Sequence, residues 1–109
     1  MIPATILIGG LRYTIEEVED LHSIDGEKCD GLLNVDTWAI RLEARLPEKA
    51  REQVLWHEII HAMLNQMGRI EQYKDENLID ALAFGVVSVL QSNPNYTHYR
   101  DPHLVFNWT

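Results

Sequence analysis

The stretch Val54-Leu55-Trp56-His57-Glu58-Ile59-Ile60-His61-Ala62-Met63 decides how this chain is read. At 100° per residue Leu55, Trp56, Ile59, Ile60, Met63 and Met67 fall within an arc of roughly 140°, the stripe that a helix turns toward a core. His57 and His61 stand four apart at the margin of that arc. Both imidazoles therefore leave one face about a turn apart and can share one tetrahedral metal ion, zinc above all. Glu58 lies one position on, where its carboxylate reaches water on the ion without ligating the ion itself. The alternative is two surface histidines making polar contacts to loops. The apolar Ile59 and Ile60 inside the motif and its place within a helix argue against that alternative.

Pro47 followed by Glu48 predicts a helix start, because proline lacks the amide that would be orphaned there and an acid suits the positive dipole end. Gly68 offers the stop. Asp75 can cap a second helix running through Leu78, Ile79, Leu82, Val86, Val87, Val89 and Leu90 until Asn93-Pro94 ends it. On that helix Glu76 and Asp80 are four apart, and their stripe continues through the apolar Ala83, Phe84 and Val87. Carboxylates on such a stripe need a partner, zinc or a histidine N–H, unless they lie in a solvated first turn. A catalytic zinc keeps three side chains and one water, so Glu76 or Asp80 is the candidate third ligand.

Upstream, residues 4–8 are a β-branched run, Gly9-Gly10 is a hairpin signal, and residues 11–15 alternate as a half-buried strand does. Residues 16–30 are acidic and accommodate a short helical turn and a loop. Residues 31–35 and 38–42 flank Asp36-Thr37 as a second strand pair. The expected fold is α+β, a small, mostly antiparallel sheet with two main helices, followed by a tail at 95–109 read as ordered loop packed on the body.

The chain of 109 residues and 12.6 kDa is expected to form a single domain, 1–109. Its 46% hydrophobic and 24% charged residues suit a self-folding globule, and the net charge of −8 disfavours nucleic acid while leaving a divalent cation or a protein partner open. Cys29 is the single cysteine, so no disulfide can form within the chain, and an intracellular, cytoplasmic setting is expected. No apolar run approaches the ~18 residues of a membrane span. No signal peptide, repeat or linker is visible.

HEIIH followed by Glu76-Asn77-Leu78-Ile79-Asp80, an E-x-x-x-D pattern, resembles the zincin metallopeptidases of the gluzincin type. The chain is most similar to small ImmA/IrrE-like and phage-encoded proteins that carry HExxH, an E-x-x-x-[ED]-A segment and a following Asn-Pro, over about residues 30–95. The resemblance implies a minimal zincin-like fold and a metallopeptidase that hydrolyses a peptide bond in a narrow protein substrate. Zinc would be held by His57, His61 and Glu76, with Glu58 as the base and Asp80 supporting His57. The reverse assignment, with Asp80 ligating and Glu76 in support, stays open.

In zincins the strand before the active-site helix binds substrate in extended form, a place taken here by residues 38–42, which equally read as a plain edge strand protected by Arg41. Candidate donors to the oxyanion are Tyr73, Tyr96, His98, Tyr99 and His103. His22 and Cys29 receive no role, and Trp38, Trp56 and Trp108 are read as core or core-edge residues. The alternative function is a zinc-stabilised interaction module without turnover, its fourth ligand position closed by a side chain such as His98 or His103. The small size and the lack of an enclosing second domain favour that alternative.

Overall fold

The computed structural model describes residues 2–94. Strand β1 (Thr5–Ile8) turns at Gly9-Gly10 into β2 (Leu11–Val18). Both glycines have positive φ, 56° and 83°, as a two-residue hairpin whose twist matches its strands requires. β2 runs three residues beyond the expected end at Ile15. Its extension, Glu16 to Val18, is held by pairing with Arg41 to Glu43 and does not begin a helical turn. Residues 19–30 then form a loop pinned by Glu43, whose buried carboxylate accepts the backbone N–H groups of Leu21 and Arg45 and bonds to the Arg45 guanidinium.

Strands β3 (Gly31–Asn34) and β4 (Ala39–Glu43) pair antiparallel across a turn in which Asn34 Oδ1 accepts the N–H groups of Asp36 and Thr37. The sheet order is β1-β2-β4-β3. The outer pairings are antiparallel, but the central pairing of β2 with β4 is parallel, so the four-stranded sheet is mixed. The loop after β2 leads the chain past one strand position, and β4 returns to fill it. This placement corrects one expectation. Residues 38–42 do not form an edge strand, because β4 is paired on both sides; the edges are β1 and β3.

Helix α1 (Glu48–Gln66) starts after Pro47 and ends at Met67, with Gly68 in the left-handed region at φ 72°. Met67 lies past the last helical turn and is exposed, so it drops out of the expected apolar stripe. A four-residue helix, α2 (Ile70–Tyr73), precedes α3 (Glu76–Ser92), whose first turn is capped by Asp75 Oδ1 accepting from Leu78 N–H. The core joins Ile8, Tyr13, Ile40 and Leu42 of the sheet to Ile59 and Ala62 of α1 and to Ile79, Ala83 and Val87 of α3. α1 is thus the middle layer, with the sheet on one side and α3 on the other.

Several apolar side chains of α3 lie outside the core. Leu78, Leu82, Phe84 and Val89 are exposed, since α1 covers only the Ile79, Ala83 and Val87 face of α3. Trp56 is buried, whereas Trp38 sits exposed on the β3–β4 turn with φ 53°. Trp108 and the tail lie outside the described residues. No helix among them is long and apolar enough to cross a membrane.

Candidate metal centre

The α1–α3 contact places the second helix's first acids over the histidines of the first. His57 and His61 project from α1 with their Nε2 atoms 3.1 Å apart. Glu76, the first residue of α3, straddles them: its Oε2 is 2.9 Å from His57 Nε2 and its Oε1 is 2.9 Å from His61 Nε2. One turn on, Asp80 Oδ1 accepts from His57 Nδ1 at 2.7 Å. That bond fixes the ring and turns Nε2 toward His61 and Glu76. Glu76 and Asp80 are themselves 63% and 67% exposed at their side chains, so the covered partners are the histidines, His61 buried and His57 half-buried, not the acids as their stripe suggested.

His57, His61 and Glu76 form a group that could hold a metal ion, their candidate ligand atoms all within 4.8 Å of one another. A tetrahedral ion with bonds of ~2.0–2.1 Å keeps its donors roughly 3.3 Å apart; the two Nε2 atoms, 3.1 Å apart, stand near that spacing, while the carboxylate meets each of them through a different oxygen. Protons make a poorer fit. Placed on both Nε2 atoms they would satisfy the two carboxylate contacts but leave two N–H groups facing each other across 3.1 Å. A cation held by the three groups would need no proton on either Nε2.

Glu58 is buried on the same helix, and burial pushes its carboxyl up to about 7; the His57 charge opposes this and the Glu76 carboxylate adds to it. Burial also holds His61 below its ordinary range, against the pull of Glu76. The Nδ1 of His61 is buried without a hydrogen-bond partner among the described residues. Tyr73 stands edge-on to that ring at 5.1 Å, and its backbone favours the ring's protonated form.

A groove of about 890 Å³ opens over the cluster. Besides the cluster itself, its lining includes Gly31, Leu32 and Leu33 of β3, Ala50 and Val54 of α1, and Tyr73 and Lys74. Of the expected oxyanion donors Tyr73 alone can be placed, and it lines the groove; Tyr96, His98, Tyr99 and His103 lie outside the described residues. His22 bonds to the Asp20 carbonyl in the β2–β3 loop, away from the groove lining. Cys29 is half-buried just before β3, its thiol pushed up by burial and then by the Glu58 charge. Sequence reasoning missed Gly31 and Lys74, whose only signals were a glycine opening an apolar strand and a cation just ahead of a helix cap.

Compared with known proteins, the chain matches no family model, no curated protein and no solved structure.

Proposed function

We propose that this protein is a zinc-dependent metallopeptidase of the gluzincin type, with His57, His61 and Glu76 as ligands, Asp80 orienting His57 and Glu58 as the base. The observation that carries this reading is the meeting of Glu76 with both Nε2 atoms while Asp80 takes the far nitrogen of His57. Glu58, on the same helix, lines the groove. Zinc held there would acidify water and polarise a carbonyl.

The chain's own residues supply the rest. Glu58 accepts the proton of the attacking water and returns it to the leaving amine, a role helped by a carboxyl already shifted toward neutrality. The open edge of β3 offers backbone N–H and C=O groups to a peptide laid along the groove in extended form, the place first expected of residues 38–42. Tyr73 is the placed candidate for the carbonyl oxygen.

Glu58→Gln separates this reading from that of an interaction module, which draws support from the exposed apolar side chains Leu78, Leu82 and Val89 of α3. The variant should keep its zinc and its fold while losing cleavage of candidate partner proteins. Full biological activity in a zinc-loaded Glu58→Gln protein would overturn the peptidase reading and leave the module.

A further inference from the structure

Gly31 opens β3 with a φ outside the left-handed region, so its backbone would accept any L-residue and the reason for glycine must be space. A Cβ built on it falls 2.6 Å from Val54 Cγ1, 2.9 Å from Glu58 Oε2 and 3.3 Å from Glu58 Cγ. Val54 and Glu58 are one turn apart on α1, and Gly31 is seated across both. Its register is set from the other side, where it pairs with Leu42, a fully buried residue of the central strand. Glu58 is 8% exposed, yet no hydrogen bond or ion pair holds its carboxylate among the described residues. Packing against the bare backbone of β3 is therefore what fixes it.

We propose that Gly31 is a positioning residue for Glu58. The missing side chain lets the edge strand close on α1 and confines the carboxylate between the β3 backbone and the groove. A methyl group at position 31 would stand 2.9 Å from Oε2, about half an ångström closer than ordinary contact allows. Where it concerns turnover, the inference rests on the peptidase reading; where it concerns the carboxylate's place, it does not.

The test compares crystal structures, zinc content, melting temperature and steady-state kinetics of the wild type, Gly31→Ala, Val54→Ala and the Gly31→Ala/Val54→Ala double variant. The substrate is the peptide that the wild type cleaves fastest in a degenerate peptide library. In Gly31→Ala the Glu58 carboxylate should move by at least half an ångström, which restores ordinary contact with the new methyl. Zinc should stay at one per chain, because the atoms nearest the added methyl belong to Val54 and Glu58 and not to the three ligands. The kcat should fall on the order of 10²-fold with KM little changed, as a misplaced reacting group causes.

The double variant removes the 2.6 Å contact but keeps the one to Glu58, so its melting temperature should recover to that of Val54→Ala while kcat does not. If Gly31→Ala fails to fold, the structure and kcat of the double variant decide alone. A kcat that recovers with stability, or a β3 that moves outward while Glu58 stays, would overturn the inference. A wild type without turnover refutes the peptidase reading instead, and the carboxylate's displacement still decides the role of Gly31.

Discussion

Each residue of the cluster makes a different set of contacts, and single substitutions should separate them. His57 and His61 each place Nε2 at the common centre, so alanine at either position should abolish metal binding, read as zinc per chain after dialysis against a mild chelator. Full zinc occupancy in either variant would remove the helix-pair site. Glu76 meets both Nε2 atoms, whereas Asp80 meets only the far side of one ring. Glu76→Gln should therefore empty the site, while Asp80→Asn should weaken affinity by ~10–100-fold and leave a titratable site. Greater damage from Asp80→Asn would exchange the two roles.

At the scale of the element, the start of α3 matters because its first residue is also a candidate ligand. Asp75 caps the helix through the Leu78 N–H, and Asp75→Ala should cost about 1 kcal/mol in urea unfolding of the metal-free protein. Fraying of this turn also frees Glu76, so zinc affinity should fall in the same variant; unchanged affinity would mean that α1–α3 packing alone holds Glu76. The end of α1 invites the opposite test. Gly68 has φ 72°, and a Cβ added there would meet nothing within 4 Å, so Gly68→Ala should destabilise by about 1–2 kcal/mol through backbone strain and not through collision. Gly68→Asn, which tolerates the left-handed region, should lose less.

At the scale of the whole molecule, ligands from α1 and α3 would tie two of the three layers together. Metal bound only by the folded state adds folding free energy, so chelation should lower the melting temperature, and an unchanged curve after verified metal removal would mean an adventitious surface site. The metal-free protein should also carry a pH signature. Glu58, raised from 4.5 to about 7 when folded, favours folding while protonated; that contribution, about 3 kcal/mol at full size, is present below pH 4.5 and is lost as pH rises from there through 7. Glu43, lowered to about 2 by its bonds to Arg45, works the other way, its stabilisation present above 4.5 and lost as pH falls toward 2. The difference in unfolding free energy between wild type and Glu58→Gln, followed from pH 4 to pH 8, isolates the first effect from that of His61. A flat difference curve would show that Glu58 is not desolvated.

Local sequence determined what local rules can reach. Pro47-Glu48 and Gly68 bound α1, Asp75 starts α3, Gly9-Gly10 turns the first hairpin, and the spacing of His57 with His61 puts two imidazoles on one face, because caps, turns and helical period act within a few residues. Tertiary structure decided the rest. That Glu76 rather than Asp80 meets both Nε2 atoms depends on how α3 crosses α1, and no spacing within α3 encodes that crossing. That β4 is central and β3 an edge depends on a long-range parallel pairing between residues more than twenty apart, which strand patterns alone do not specify. The exposed Leu78, Leu82 and Val89 have the same cause. Hydropathy shows that a helix has an apolar side, but only the width of the partner it packs on decides how much of that side is covered.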